Sequence, residues 1–248
     1  MRTLTFTIFI LATHWVLAQK INCDTITNFS NVACDKAVYK APDGKHYKVQ
    51  FMDETNAEKD FMEAGLLANC LDSTFAGTAR KGAKTSFSTA KIEDFLTVSA
   101  LIKALPKDAV IRAKVNSNSK RVVDENRNVR LTKDTYLFAF KKESDNDYHV
   151  IIGDNKDVKK ATFFNVEISG LATTTNKQIQ AVRLAFEKQF VNVCSDRYVV
   201  FSANPIKIQI EGSVFFDVDH KPGQIGPAGL QPATTWEIHP ISKITFLK

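Results

Sequence analysis

Val129-Arg-Leu-Thr-Lys-Asp-Thr-Tyr-Leu-Phe-Ala-Phe-Lys-Lys142 runs into Glu143-Ser-Asp-Asn-Asp147 and then into Tyr148-His-Val-Ile-Ile-Gly153. The first run carries its bulk at Leu131, Tyr136, Phe138 and Phe140, in the manner of a long strand. The acidic segment is dense in residues whose side chains bond their own backbone, which marks a turn. The third run is the return strand. The spacing therefore predicts an antiparallel hairpin. Downstream, Asp154-Asn-Lys-Asp157 reads as a second turn and Thr162–Ile168 as a third strand. Ile179, Val182, Phe186 and Phe190 then recur at helical spacing, with Thr174 or Thr175 expected at the cap. Tyr198–Phe201 is a short extra strand. Ile206–Asp217 is a long one interrupted by Gly212, where a bulge is expected, and Trp236–Leu247 closes the chain.

Three strands, a helix and two strands form the element order of a small closed barrel of the oligonucleotide/oligosaccharide-binding (OB) type. The fold class expected is α+β: an OB-like five-stranded barrel over residues 107–248, preceded by a partly helical, disulfide-containing region over 19–106. In that region Tyr47–Phe51 reads as a short strand. Ala57, Phe61, Ala64 and Ala68 share a helical face, and residues 77–86 are loop-like. A second helix is expected after Ser88 or Thr89, with Ile92, Phe95, Leu96, Ser99 and Ile102 on one side and Pro106 as its stop. Ala109–Val115 alternates as a strand would.

The N-terminus reads Met1-Arg-Thr-Leu-Thr-Phe-Thr-Ile-Phe-Ile-Leu-Ala, and Val16-Leu-Ala18 places small residues before Gln19. One charge, an apolar run and that site make residues 1–18 a secretory signal peptide. The expected location is secreted or periplasmic, and no second apolar stretch is long enough to span a bilayer. Cys23, Cys34, Cys70 and Cys194 are an even set in an exported chain, which favours two disulfides. Cys23–Cys34 and Cys70–Cys194 are the expected pairs of three possible connectivities. The paired C-x-x-C spacing of a cysteine zinc site is absent. The net charge of +6 permits contact with an anionic polymer or envelope component without demanding it. Arg80, Lys81 and Lys84 could grip an anion, or simply be solvated.

The hairpin Phe140–Asp154 resembles one in exported bacterial proteins of unknown function that carry an acidic D-G-D-x-H turn. That group also has a phenylalanine-rich strand, a glycine-containing loop with a histidine, and an ending E-(I/L)-H-P-(V/I). The corresponding pieces here are Val214-Phe-Phe-Asp217, His220 with Gly223 and Gly226, and Trp236-Glu-Ile-His-Pro-Ile241. Asn146 stands where the group has glycine, and the loop before Trp236 is longer. The resemblance covers roughly residues 130–248. It implies bacterial export and an OB-like barrel, and no activity.

Chemistry concentrates on three histidines in charged motifs: His149, His220 and His239. Alternation puts Glu237 and His239 on one strand face, and Asp147 and His149 on another. If these faces meet the loop of His220, then His149, His220, Glu237 and His239 are candidate ligands for a divalent metal such as zinc. Asp145, Asp147 and Asp217 are then candidate bases or supports. The structural reading of these histidine–acid pairs, with a ring N–H bonded to the acid, is the stronger one, and only His220, in a Gly/Pro-rich loop, stands closer to a site. There is no G-x-S-x-G elbow, P-loop or dinucleotide fingerprint. The first functional expectation is a non-enzymatic binding module for an extended ligand (nucleic acid, glycan or protein). The alternative is a metal-dependent hydrolase of the phosphodiester class. Tyr136, Phe138, Phe140 and Tyr148 are read as barrel core rather than stacking surface.

Overall fold

A computed structural model describes residues 38–40, 46–48, 50–52, 80–143, 145–170, 176–190 and 197–247. The signal peptide, the helix expected from Asn56, and Cys23, Cys34, Cys70 and Cys194 lie outside these residues. The strands are β1 (Val38–Lys40), β2 (His46–Lys48), β3 (Gln50–Met52), β4 (Ile92–Phe95), β5 (Asn128–Leu131), β6 (Tyr136–Lys142), β7 (Tyr148–Gly153), β8 (Phe163–Ile168), β9 (Tyr198–Val200), β10 (Ile206–Phe216) and β11 (Trp236–Phe246). The helices are α1 (Lys81–Lys84), α2 (Val98–Ala104), α3 (Asp108–Arg112) and α4 (Lys177–Gln189).

Strands β6, β7, β8, β11 and β10 pair in that order, and β6 pairs again with β10, which closes a five-stranded barrel. All contacts around it are antiparallel except β8–β11, which is parallel. With α4 between β8 and β10, this is the expected α+β, OB-like barrel. β9 and β3 extend it along β6, while β5 and β4 extend it along β10.

The barrel fills with one face of each strand. Phe140, Val150, Ile152, Val166, Val214, Phe216 and Ile238 are essentially inaccessible to water. α4 closes one end with Val182, Phe186 and Phe190, and Phe186 meets Phe140 edge-on at 5.1 Å. Each such fully buried side chain contributes roughly 1.5–3 kcal/mol of hydrophobic stabilisation. β4 and α2, which precede the boundary expected at 106/107, share this sheet and core through Val98 and Leu101.

Several local expectations are corrected. The run from Ile92 is not helical at its start: β4 pairs in parallel with β5, and the helix begins only after Thr97, whose side chain accepts from Ala100 N. Ala109–Val115 is not a strand, since α3 occupies its first half with Ile111 buried. The single strand expected over 129–142 is two, β5 and β6, pairing with different stretches of β10. α4 is capped by Asn176, whose side chain accepts from Gln178 N and Ile179 N, rather than by Thr174 or Thr175. A register shift between Leu137 and Ala139 splits the aromatic row of β6. Phe140 enters the main core, and Phe138 enters a second cluster with Ile151, Phe163, Ile225 and Leu230. Tyr136 and Tyr148 pack against these clusters, in line with the core reading. The bulge at Gly212 is present, with register shifts on both sides of it. No helix among the described residues is long and apolar enough to cross a membrane.

Candidate functional site

OB barrels commonly bind ligands on the face of their second and third strands, between the first and last hairpin loops. Here those are β7 and β8, the acidic turn 143–147 and the loop 217–235. On that outer face alternation places His149 and Ile151 of β7, then Asn165 and Glu167 of β8, then Glu237 and His239 of β11. The ladder sets His149 opposite Glu167, and Asn165 opposite both Ile151 and Glu237. The acidic hairpin and the last strand are therefore brought to one place, with β8 between them.

Glu167 is the centre. One of its oxygens lies 2.8 Å from His149 Nε2 and the other 2.8 Å from His239 Nδ1. Asn165 Nδ2 donates to Glu167 Oε1 at 3.0 Å and to Glu237 Oε1 at 3.2 Å. His149 is held from its other side by Glu143, with Nδ1 at 3.1 Å. Asp147 Oδ1 accepts from Gly170 N, and its Oδ2 stands 3.4 Å from His239 Nε2. Asp147, Glu167, Glu237 and His239 are all at most 2% exposed. A half-buried rim surrounds this floor: Lys84, Lys141, Glu143, Asp145 and His220.

The electrostatics divide the groups into two kinds. Burial disfavours charge on both His149 and Glu167, but their mutual attraction outweighs it. The imidazole pKa, helped by Glu143, is raised well above its usual range, and the Glu167 carboxyl, helped by His239, is held well below its own. Burial also opposes ionisation of Glu143, yet His149 and Lys141 hold its carboxyl down to about 2. By contrast, burial raises Asp147 and Glu237 well above the carboxylate range, reinforced by Asp145 and Glu167 for the first and by Glu167 and Asp217 for the second. Burial lowers His239, which stays neutral. Lys84 is raised against its own burial by the charges of Glu167, Asp145, Asp217 and Asp147.

The tautomer of His239 follows from its neighbours. Ser169 Oγ donates to Lys84 O at 2.9 Å, so its oxygen accepts from His239 Nε2–H at 3.0 Å. The lone pair is then on Nδ1, facing Glu167 Oε2 at 2.8 Å and Glu237 Oε2 at 3.6 Å. A lone pair and carboxylate oxygens repel unless a proton or cation lies among them. Consistent with this, Asp147 Oδ2, Asn165 Oδ1, Glu237 Oε2 and His239 Nδ1 are all buried without a hydrogen-bond partner. Such orphaned groups cost about 1–3 kcal/mol each, more if charged.

Asp147, Glu167 and His239 offer three ligand atoms within 4.8 Å of one another, a group able to hold a metal ion. Of the residues singled out from sequence, His239 and Asp147 belong to this group and Glu237 borders it. His149 does not: both its nitrogens face carboxylates and it carries the charge, so it has no lone pair for a metal. His220 Nδ1 bonds Asp217 Oδ2, and its ring meets that of His149 edge-on at 6.0 Å, so it lies on the rim. Asp217 Oδ1 accepts from Asp219 N, which shapes the loop, while Asp145 Oδ1 accepts from Asp147 N in the turn. Glu167 and Asn165 are the members of this cluster that sequence reasoning missed. Their signal was present in Phe163-Phe-Asn-Val-Glu-Ile168, as two polar residues on one face of an otherwise apolar strand.

The chain itself covers this face. Ile225 and Leu230 of the 217–235 loop pack over Phe138, Ile151 and Phe163, and Arg80 stands over the Phe215 ring at 4.6 Å. Arg112 fastens the loop by donating to Val218 O and His220 O. No family model, curated protein or solved structure matches this chain.

Proposed function

We propose that this protein is an exported, non-enzymatic binding module whose OB-type face holds a divalent cation, zinc in the first place, between Asp147, Glu167 and His239, with Glu237 as a further donor. The observation that carries this reading is that Asp147, Glu167 and His239 bring three buried ligand atoms within 4.8 Å of one another, while Asp147 Oδ2, Glu237 Oε2 and His239 Nδ1 lack a hydrogen bond. One neutral imidazole with carboxylates suits a first-row divalent ion. When bound, the ion would answer the lone pair of His239 and replace the protons that Asp147 and Glu237 otherwise hold. His149 and Lys84 balance the remaining negative charge and fix the orientation of Glu167. Export rests on the N-terminal signal.

Because segments of the same chain cover the face, an ion fits this site better than an extended polymer does. The burial of the donors also favours sequestration over hydrolysis, which needs a coordination position within reach of substrate. The test is metal content and calorimetric zinc titration of chelator-treated full-length protein, with Mn²⁺ as a second ion. One ion per chain is expected, with affinity weakened at least about tenfold in Glu167→Gln and in His239→Ala while the folded spectrum is retained. Uptake of neither ion, or uptake unchanged by both substitutions, would exclude the site. Turnover of a phosphodiester by the zinc-loaded protein would favour the hydrolase instead.

A further inference from the structure

The donors of the cation site are closed in, since Asp147, Glu167, Glu237 and His239 are at most 2% exposed. An ion reaches them only if part of the cover moves. The described residues supply that cover from two sides, α1 and the 217–235 loop. α1 is locked by buried polar bonds. Arg80, at its start, donates to Ser119 O at 3.0 Å and Phe216 O at 2.8 Å, and it grips Glu125 at 2.6 and 2.8 Å. Arg121 donates to Ala83 O at 2.6 Å and Ser86 O at 2.8 Å, and Ser169 Oγ donates to Lys84 O at 2.9 Å. Lifting this side would tear apart a buried ion pair.

The loop is held differently. Its ends are pinned together and to α3. Asp217 N donates to Thr235 O at 3.0 Å, and Arg112 donates to Val218 O at 2.7 Å and His220 O at 2.6 Å. Thr234 Oγ1 and Thr235 N donate to the Asp108 carboxylate at 2.6 and 2.9 Å. Ends that meet in this way make the segment an Ω-loop. Between the pins, the amides of Gly223, Gln224 and Leu230 donate to Pro232 O, Lys221 O and Pro227 O, all inside the loop. Ile225 and Leu230 seat this stretch on the barrel by packing with Phe138, Ile151 and Phe163. Ile151 lies opposite Asn165, and Asn165 opposite Glu237. Lifting Ile225 off Ile151 therefore opens the floor of the site from one side, and it costs apolar burial rather than a stranded charge.

We propose that residues 221–232 are the gate of the cation site, swinging on the pins at 217–220 and 234–235 while α1 stays in place. The gate presupposes the ion held by Asp147, Glu167 and His239. Its closed form is the packed one, so the open form is the minor population. Loosening the seat of Ile225 or Leu230 raises the open fraction, and with it entry and exit alike, while the donors are untouched. Affinity, the ratio of the two rates, then stays the same.

Stopped-flow mixing of the full-length protein tests this, with zinc to follow uptake and with an excess of a chromogenic chelator to follow release from the zinc-loaded form. In Ile225→Ala and in Leu230→Ala both rates should rise about tenfold or more, with Kd unchanged within about twofold. Leu230→Met, which nearly keeps the volume, should retain wild-type rates. So should Thr85→Ala/Ser86→Ala, which removes two side-chain bonds to the carbonyls of Lys81 and Gly82 in α1. Where an alanine variant loses the folded spectrum, Ile225→Val carries the same test, with both rates up about twofold or more. Faster release without faster uptake, or equal acceleration by the α1 variant, overturns the gate. Zinc uptake with rates unchanged in the loop variants removes the gate alone, whereas no uptake by the wild type removes the cation site and its gate together.

Discussion

At the scale of the residue, Asn146 shows how one side chain serves turn and core together. Its φ is 76°, in the left-handed region that glycine tolerates and asparagine tolerates better than most other side chains. Asparagine therefore suits this position of the turn. The side chain adds something glycine lacks, since Asn146 Oδ1 accepts from Arg183 at 2.8 Å and Asn146 O does so at 2.6 Å. Arg183 is wholly buried, so losing these acceptors is expensive. Asn146→Ala should lower stability by about 2–3 kcal/mol through backbone strain plus the lost bond, and Asn146→Gly by less, through the bond alone. Urea unfolding midpoints measure both. A glycine variant weaker than the alanine variant would show that the turn does not hold this dihedral.

At the scale of the element, Gly212 lets two eleven-residue strands bend around a small barrel. A Cβ there would come within 2.4 Å of Ile238 Cγ2, 2.6 Å of Pro240 O and 2.9 Å of Ile241 Cα. Two of those atoms are backbone and cannot swing aside. Gly212→Ala should therefore destabilise by about 1–3 kcal/mol, as overpacked cores do, with a lower melting temperature as the readout. No change would mean that β10 and β11 can slide at the bulge. The bend was legible as a glycine inside a strand pattern. β4 was not, because Ile92-Glu-Asp-Phe95 is mostly exposed and becomes a strand only by pairing with β5. α3 was likewise missed: a single buried residue, Ile111, anchors it, and its Asp108 carboxylate is taken by Thr234 and Thr235 over a hundred residues away.

At the scale of the molecule, the buried acid–histidine cluster ties stability to pH. Glu143 has its folded pKa held down to about 2 against an ordinary 4.5. A depressed carboxyl contributes stability that is fully present above the unfolded pKa and lost as pH falls through the folded one. The window therefore runs from about pH 4.5 down to about 2, and the contribution is on the order of 3 kcal/mol at about 1.4 kcal/mol per unit. Glu167 and Asp217, also lowered, act in the same direction. His149 has the opposite sign: its raised pKa contributes stability that is complete below about 6.5 and lost only as alkali strips its proton. Urea midpoints followed from pH 6 to pH 2 should fall steeply in the wild type and less steeply in Glu143→Gln, which has no charge to lose. Identical slopes would mean that the Glu143–His149 pair is already broken at pH 6.

Local grammar determined the order of elements, the acidic turn, the helix at Ile179–Phe190, the bend at Gly212 and the barrel they imply, because turn chemistry and apolar spacing act between near neighbours in the chain. It also put His239 and Asp147 among the candidate residues, since charged side chains are conspicuous in apolar strands. Only the tertiary structure made Glu167 the pivot between His149 and His239, separated Phe138 from Phe140, moved His220 to the rim and laid the 217–235 loop over the outer face of the barrel. Those outcomes depend on strand register and burial, which are set by pairings between distant segments, and a one-residue shift in either would send the same side chains to the opposite face.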